Sequence, residues 1–436
     1  MNRWGGGRGA GGGGAAGSGL SDNPVDSPPA PRPPPLRIAH IITRMILGGA
    51  QENTLLTCAG LVERGHDVRL LTGPTGGPEG ELVSEAARRG VAVEEVPDLV
   101  RPISLLRDWR AYRALRRRLR ELGPDVVHTH SSKAGVLGRA AARAAGVPVV
   151  IHTIHGLPFH PFMNPAVARA YVLAERWAAR RCDRLVSVAE AMTDQAVAAG
   201  VAPRDRFVTV HSGMAVEPFL NARQRREEMR GKLGYAPGDF VVVKVARLFE
   251  LKGHGFLIAA ARQLRAAHPE LRLLLVGDGL LRRSLEAQVR EAGLADGVKF
   301  AGLVPAAEVP GYLAAADLLV HASLREGLPR AAPQALLAGT PVVAFDVDGA
   351  REVVRDGETG LLVPPRDVRS LCAAIRRMIE DRGLASGTAA AGRDLCARLF
   401  PAEVMVAKLE SIYRERLSAK QPGAPEIGRA SCRERG

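Results

Sequence analysis

The sequence predicts an α/β protein made of two successive, doubly wound parallel sheets that face each other across a cleft. Three observations predict this fold class. Short aliphatic runs alternate with amphipathic helical segments along most of the chain. Several of these runs end in a polar or glycine-rich loop that opens a helix, which is how an α/β sheet forms a ligand crevice. At 436 residues, the chain is long enough for two domains of ordinary size plus tails.

The first domain is predicted over residues 36–213, after a Gly- and Pro-rich tail at 1–35 that we expect to be disordered. Its predicted strands are 36–42, 67–72, 91–96, 125–130, 184–188 and 207–211, with another ending inside 149–159. Its predicted helices include one that ends at residue 64 and others at 102–122, 165–181 and 189–200. Because strands and helices alternate, the pattern indicates a parallel sheet with helical crossovers.

The second domain is predicted over residues 214–398, beyond a hinge at Ser212-Gly213-Met214. Its predicted strands are 241–246, 271–276, 298–304, 318–320, 341–345 and 360–363. Helices are predicted at 306–315, 368–380 and 401–417. We expect the tail at 419–436 to be disordered, and residues 426–436 resemble a translated sequencing adapter, so they are excluded from the fold prediction.

Composition restricts the class of partner. The formal net charge of +14 suits nucleic acid, an anionic membrane surface or phosphorylated substrates. The chain carries no RNA-binding signature and no interleaving of aromatic with basic residues, so we expect no nucleic-acid partner.

Cysteine usage and hydropathy indicate the compartment. The five cysteines are scattered and form no Cys-x-x-Cys pair, so the sequence supports neither a zinc site nor a disulfide framework. No apolar run reaches the roughly 18 residues that span a bilayer. The N-terminus also lacks the apolar core of a signal peptide. We therefore predict a cytoplasmic protein, attached at most to the inner face of a membrane.

The segment at 102–122 has two interpretations. Its apolar residues recur at helical spacing, and arginines occupy the rest of the helix. Such a helix covers a sheet and exposes a basic face to solvent, or it lies on anionic lipid, where each basic residue adds about 1 kcal/mol. The apolar positions are Leu105, Trp109, Tyr112, Leu115, Leu119 and Leu122.

The stretch at 321–354 is the part around which the chain is organised. A buried strand ends at Val320, and a loop with Glu326 and Gly327 leads into a short helix with Pro333 early and Gly339 just past its end. That asymmetry is typical of helix boundaries. Free N–H groups at the helix start would suit an anion such as a diphosphate.

Two cations follow the first strand of the second domain. Arg247 and Lys252 lie in the loop and helix start after residues 241–246, where basic side chains can hold a diphosphate. Two exposed cations without a function are the alternative. A later strand ends in Gly277-Asp278-Gly279, where we expect Gly277 to allow close packing and Asp278 to cap the following helix.

Glycine and histidine mark strand ends of the first domain. Gly48-Gly49 opens a helix, which indicates a ligand-facing backbone or an ordinary tight turn. His128 and His130 share one face of a strand and could ligate a metal, but no third ligand is evident. Capping of the next helix by Ser131 or Ser132 is an equal alternative. His155 ends the next strand near the expected cleft.

These residues resemble glycosyltransferase family 4. The similarity covers about residues 36–417 and is carried by the Arg247/Lys252 pair, the Gly-Asp-Gly turn and Glu326 with its helix. One departure is that the second acid of the family's signature is replaced here by Gln334, which keeps one acceptor but lacks the charge. The resemblance implies a GT-B fold whose last helix, at 399–418, returns to the first domain.

The resemblance also implies the roles of individual residues, without a metal or another cofactor. Gln334 would contact the ribose, and His155 and Glu326 the sugar. The implied catalytic residues are His155, Glu326, Arg247 and Lys252; the implied donor-binding residues are Gly48, Gly49, Gly277, Asp278, Gly327, Leu328, Gln334, Gly349 and Glu352. Although Asp346-Val347-Asp348 superficially resembles the metal-binding acidic pair of another glycosyltransferase fold, we interpret it as part of a loop.

The function that the resemblance implies is retaining transfer of a sugar from a nucleotide diphosphate sugar to an acceptor hydroxyl. We expect a UDP-hexose or UDP-N-acetylhexosamine donor. The segment 128–135 is similar to members that build surface polysaccharides on lipid carriers, so a glycan or lipid-linked acceptor is expected, with an anionic membrane surface as a further candidate partner. Two alternatives are a nucleotide-sugar epimerase on the same fold and a sugar-nucleotide-binding protein without catalysis.

Overall fold

The computed structural model describes residues 33–76 and 80–420. The predictions for residues 1–32 and 421–436, including the adapter-like segment, lie outside the described residues. Within the described part, the chain forms two separate sheets in which every strand pair is parallel. The predicted architecture of two doubly wound sheets is therefore confirmed.

The first sheet has seven strands in the order β3-β2-β1-β4-β5-β6-β7. The strands are β1 (Arg37–Ile42), β2 (Asp67–Thr72), β3 (Ala92–Glu95), β4 (Val126–His130), β5 (Val149–Ile154), β6 (Arg184–Ser187) and β7 (Phe207–Thr209). The helices are α1 (Gly49–Glu63), α2 (Val83–Arg88), α3 (Leu105–Leu122), α4 (Ser132–Ala145), α5 (Pro165–Ala179) and α6 (Glu190–Ala198). Strands β4 and β5 are buried along their whole length, as expected where helices cover both faces of a parallel sheet.

The second sheet has six strands in the order β10-β9-β8-β11-β12-β13. The strands are β8 (Phe240–Val245), β9 (Leu271–Val276), β10 (Val298–Gly302), β11 (Leu318–His321), β12 (Val342–Phe345) and β13 (Leu361–Val363). The helices are α7 (Glu217–Leu220), α8 (Arg226–Leu233), α9 (His254–Leu264), α10 (Arg282–Glu291), α11 (Val309–Ala315), α12 (Ala331–Leu337), α13 (Ala350–Val353), α14 (Val368–Glu380) and α15 (Arg382–Leu399). The strand order reverses between β8 and β11, and ligands bind at such a switch point in open α/β sheets.

The last helix, α16 (Ala402–Ser418), packs on the first sheet and its helix α1. A Cβ added to Gly60 of α1 would lie 2.7 Å from Val406, so the missing side chain lets the two helices approach closely. The chain crosses between the two halves at Met214, whose N–H donates to Phe400 O at 2.8 Å and whose carbonyl accepts from Ala402 N at 3.1 Å.

The residues that helix α3 buries differ from those predicted. Leu105 and Trp109 were predicted on its apolar face, yet they are 88% and 53% exposed. Ala111, Leu115 and Leu119 are buried in an apolar cluster shared with the first sheet, whereas Leu105 and Trp109 lie outside that cluster. No described helix combines the length and apolarity that a membrane span requires.

Candidate active site

Loops from the carboxyl ends of both sheets meet at one place. A Cβ added to Gly327 would lie only 2.2 Å from the carbonyl oxygen of His155. Gly349 is packed just as closely, since its Cβ would lie 2.5 Å from Gly327 O and 2.8 Å from Ala189 Cβ. Only glycine fits where two backbones approach this closely. The structure thus brings His155 and Ala189 of the first half against Gly327 and Gly349, respectively, of the second.

Gly48-Gly49 lies in the same region. Arg330, which immediately precedes α12, donates to Gly49 O at 3.3 Å and pairs with Glu52 of α1 at 2.7 Å. A Cβ on Gly49 would lie 2.8 Å from Arg330 Cδ. The start of α1 is therefore held against the start of α12 by an arginine that the sequence analysis did not single out.

Lys252 and Glu326 form an ion pair at the switch point of the second sheet. Lys252 Nζ donates to Glu326 Oε1 at 2.6 Å, and the two side chains are 25% and 14% exposed. His321, at the end of β11, places Nε2 3.3 Å from the same carboxylate oxygen. Two of the predicted catalytic residues are therefore in direct contact.

A set of buried polar side chains lies beside this ion pair. Lys244 of β8, His254 of α9 and Ser323 after β11 are almost fully buried. The Lys244 ammonium, both His254 ring nitrogens and the Ser323 hydroxyl have no hydrogen-bond partner among the described residues. Buried polar atoms are nearly always paired in native proteins, so such a concentration is typical of a functional site.

The electrostatics of this set depend on the Glu326 charge. Burial alone would raise the pKa of Glu326, but His321 and Lys252 act against it and hold the pKa well below its usual range. Burial lowers the pKa of Lys244 to about 7, with a further decrease from Lys252 and an opposing effect of Glu326. Glu326 is therefore an anion that is paired with the Lys252 ammonium, beside a lysine whose charged form is disfavoured by burial.

Arg247 lies next to the Gly-Asp-Gly turn. Its guanidinium is exposed and stacks on the Phe249 ring with a 5.0 Å separation. A Cβ on Gly277 would lie 2.1 Å from Ala246 O, so this glycine permits the close packing that was expected of it. Asp278 was expected to cap the following helix, which is wrong: its carboxylate accepts from Gly279 N at 2.7 Å, and α10 starts without a side-chain cap.

Gln334 and Leu328 belong to the segment around α12. Leu328 is buried and packs in a cluster that includes residues of both halves, so the loop after Glu326 is anchored on its apolar side. Gln334 is partly buried, and its side-chain amide makes no hydrogen bond to a described residue. The amide is therefore available to a ligand.

Glu352 and Asp348 contact the first half of the chain. Glu352 accepts from His211 Nε2 at 2.8 Å and from Ala191 N at 3.2 Å. Asp348 accepts from Glu326 N and from Gln195 Nε2, both at 2.7 Å. The two acids thus connect the Glu326 loop to the start of α6.

The histidines of the first sheet form a larger group than the sequence indicated. His40 of β1 is a third ring beside His128 and His130, and one ligand nitrogen from each lies within 4.8 Å of the others. The expectation that no third ligand is present was therefore wrong. Most of these nitrogens already have partners: His130 bonds to His40 and His155, and His128 to Tyr413 and Thr153. These contacts between ring nitrogens and their partners form a hydrogen-bond network.

The capping prediction for α4 was also wrong. Ser131 precedes the helix but has a left-handed φ of 59° and makes no cap. Its hydroxyl donates to His130 O, and Thr43 of the first β–α loop accepts instead from Ala134 N at 3.2 Å. A distant residue thus takes the role that local sequence had assigned to a serine.

Several site residues were missed, although some left a signal. Lys244 is a single charge inside the aliphatic run FVVVKV, and His321 ends the apolar run LLVH. A charge in an otherwise buried strand is a recognisable sign of function. His40 interrupts the buried run IAHII and left the same kind of signal. Arg330 left none, because its partner lies 281 residues away in sequence.

Comparison with known proteins supplies the family. Residues 48–213 match a family model described as a glycosyl transferase 4-like domain, and residues 225–394 match the model for glycosyl transferases group 1. The 2-deoxystreptamine glucosyltransferase of Streptomyces kanamyceticus is 32% identical over 63% of this chain and 73% of its own length. The UDP-Gal:alpha-D-GlcNAc-diphosphoundecaprenol alpha-1,3-galactosyltransferase of Escherichia coli is 29% identical over 80% of this chain and 89% of its own length.

A solved structure supports the fold. The crystal structure of HepE from Anabaena in complex with UDP and glucose superposes with a TM-score of 0.75 at 23% identity, covering 87% of this chain and 99% of HepE. At that identity the likeness shows the fold, two Rossmann-like sheets in the GT-B arrangement.

Proposed function

The chain belongs to the GT-B glycosyltransferases of the family 4-like type, and from that premise we propose that it transfers a hexose or N-acetylhexosamine from a UDP-sugar to an acceptor hydroxyl with retention of anomeric configuration. The observation that supports the site most directly is the contact between Lys252 and Glu326 at 2.6 Å, beside the place where Gly327 meets His155. Cations, a carboxylate and backbone from both halves lie together there.

The cationic side of the site suits the departing diphosphate. Transfer requires stabilisation of the negative charge that grows on the leaving group as the bond to the sugar breaks. Lys252 and Arg247 both follow β8, so their charges lie at the switch point of the second sheet. In this proposal they bind the two phosphates, and Lys252 exchanges part of its contact with Glu326 for a phosphate oxygen.

The carboxylate side of the site suits the sugar. Because Glu326 stays ionised, each of its oxygens can accept a hydrogen bond from a sugar hydroxyl. The backbone of His155 contacts Gly327, the residue after Glu326, and in this proposal the His155 ring contacts the same sugar. Gln334 is assigned to the ribose, since its side-chain amide can both donate and accept.

A lipid-linked acceptor agrees with an exposed surface on the first half. This aromatic–basic face contains two arginines, Arg113 and Arg181, and six exposed apolar residues: Ile103, Leu105, Leu106, Trp109, Leu173 and Trp177. Arg113 stacks on Trp109 at 4.8 Å and Arg181 on Trp177 at 3.6 Å. The two tryptophans line a groove of 470 Å³ on α4. Tryptophan with neighbouring arginine suits the headgroup level of an anionic membrane. In this proposal the protein binds the membrane through this face and there encounters an acceptor on a lipid carrier.

Transfer is tested with purified full-length chain, UDP-galactose or UDP-N-acetylglucosamine, and a synthetic N-acetylglucosaminyl-diphosphate lipid. We expect UDP release that depends on the lipid, and an α-configured product by NMR. An epimerised UDP-sugar without acceptor, or binding without UDP release, would contradict transfer. A β-configured product would contradict retention.

The diphosphate assignment is tested with Lys252→Met and Arg247→Ala. Each should lower kcat/KM for the donor by roughly 10²- to 10³-fold, the effect of removing one group that stabilises developing charge. Lys232→Met and Arg283→Ala are matched controls at exposed positions of α8 and α10. Equal effects in variants and controls would remove the two cations from the site.

Membrane attachment is tested separately by sedimentation with vesicles. Binding to vesicles that contain anionic phosphatidylglycerol is expected to exceed binding to phosphatidylcholine vesicles, because each basic residue near an anionic surface contributes about 1 kcal/mol. Trp109→Ser and Leu105→Ser should weaken binding and leave UDP release with a water-soluble acceptor unchanged. Equal sedimentation with both vesicles, or no effect of the substitutions, would refute this face as the attachment site.

A further inference from the structure

A row of three imidazoles runs from the interior of the first sheet to the candidate sugar site. His155 Nε2 lies 3.1 Å from His130 Nδ1, and His130 Nε2 lies 2.9 Å from His40 Nδ1. His40 and His130 are completely buried. The far end of the row, His40 Nε2, has no hydrogen-bond partner among the described residues.

The direction of the protons along this row is restricted to two possibilities. Burial lowers the pKa of His40 to about 3 and that of His130 well below its ordinary value, so both rings are neutral. Burial also lowers the pKa of His155 to about 3, and Arg330 adds to the effect. A neutral imidazole has one N–H and one lone pair. The three N–H groups therefore all point toward His155 or all point toward His40.

The unpartnered end decides between the two directions. If the protons pointed toward His40, its Nε2 would carry a buried N–H with no acceptor. In native proteins an orphaned buried N–H group is rarer than a buried acceptor that is left short of a partner. If the protons point toward His155, the orphaned atom is only a lone pair. The second arrangement is favoured.

We propose that His130, with its direction set by His40, is a positioning residue that holds His155 in the tautomer protonated on Nδ1 and presents that N–H to an oxygen of the bound donor sugar. His155 Nδ1 makes no hydrogen bond to a described residue, so it is the nitrogen left for a ligand. The identity of the ligand rests on the function proposed above, whereas the tautomer is a property of the free protein.

The tautomer is measured on the full-length chain labelled with [15N]histidine. A long-range ¹H–¹⁵N correlation spectrum distinguishes protonated from bare ring nitrogens, and His155→Gln assigns the relevant signals. We expect Nδ1 of His155, His130 and His40 to be protonated, with couplings across the two N–H···N bonds. A proton on His155 Nε2 would overturn the proposal. This result is obtained whether or not the chain transfers sugar, so failure of the function would be seen separately.

The positioning role is measured with two substitutions of one residue. His130→Leu removes the donor to His155 and should lower kcat/KM for the UDP-sugar roughly three- to tenfold, the effect of one neutral hydrogen bond. The loss should appear in KM, because a bond made equally to the ground state and the transition state is uniform binding. His130→Asn keeps an amide N–H near the Nδ1 position and should restore most of the affinity.

A control separates positioning from packing. His152 is buried on the same sheet but bonds to Thr129 at 2.9 Å, outside the row. His152→Leu should leave both the His155 tautomer and KM unchanged. Equal KM increases in His130→Leu and His152→Leu, or no recovery in His130→Asn, would refute the positioning role.

Discussion

Replacing Lys244 by methionine tests whether the switch point of the second sheet holds a desolvated charge. Lys244 is 1% exposed, and its ammonium has no hydrogen-bond partner among the described residues. Its charged neighbours are Lys252 and Glu326, with His254 on the adjoining helix. Methionine has a similar length and no charge, so the substitution removes the ammonium with little change in volume.

The magnitude follows from the pKa of Lys244, which burial lowers from 10.5 to about 7. Between these values the unfolded chain binds a proton that the folded protein does not, so the free energy of unfolding rises with pH across this window. The full rise is about 5 kcal/mol, at 1.36 kcal/mol per pH unit. It is complete above pH 10.5 and absent below pH 7. Between pH 6.5 and 9.5 the expected change is about 3 kcal/mol.

The assay is urea unfolding followed by circular dichroism, with wild type and Lys244→Met compared at pH 6.5, 8.0 and 9.5. The stability of the wild type relative to the variant should rise by about 3 kcal/mol over that range. Lys232→Met, at an exposed position, should show no such trend. If the free energies of unfolding of wild type and Lys244→Met changed equally with pH, the prediction would be refuted. That result would mean that the Lys244 ammonium stays hydrated and keeps its ordinary pKa on folding.

Three further predictions concern the candidate site. Gly327→Ala should reduce transfer by at least 100-fold, since its Cβ would lie 2.2 Å from a backbone oxygen. The control Gly156→Ala should be active, because no atom lies within 4 Å of its Cβ position. Similar rates of UDP release in the two variants would show that the contact between the halves is unimportant. Gln334→Glu should keep or lower the Kd for UDP in calorimetry if Gln334 contacts the ribose, and a tenfold weaker Kd would contradict that assignment. Transfer should survive an excess of EDTA, since the proposed site uses no metal ion to stabilise the leaving group; loss of activity that manganese restores would reverse the metal-free prediction.

Strands and helices were more predictable than the site. Residues 67–72, 271–276 and 368–380 were predicted with the boundaries that the structure shows, because aliphatic runs and helical periodicity are local signals. Helix α15 was not predicted, since its sequence is rich in Ala and Gly and lacks a strong apolar stripe. Its burial against α12 depends on Gly392, which lets Leu336 approach to 2.6 Å of the position that a Cβ would take.

The pairings that build the site could not be predicted, because they join residues far apart in the chain. Glu326 and Lys252 were named, but nothing local showed that they touch. His40 interrupts the apolar run of β1, but its partner lies in β4, so the strand by itself did not show what the histidine contacts. The Thr43 contact that replaces the Ser131 cap is likewise a consequence of the first sheet bringing β1 beside β4.

Lys244 also indicates how one site can hold both an ionised carboxylate and the cations that would bind a diphosphate. Burial would raise the pKa of Glu326 and tend to neutralise it, so an ionised carboxylate there needs cations beside it. Lys252 and His321 contact Glu326 directly, and Lys244 is a further neighbour that carries a charge below a pH of about 7. The charged lysines of this set would also attract a diphosphate. Lys244→Met should therefore be more stable than wild type at pH 6.5, because the substitution removes a buried charge. It should also bind UDP-sugar less tightly, because the same substitution removes positive charge near Glu326. A variant that gained stability and kept its donor affinity would separate the two effects, and would leave Lys244 with no role in binding.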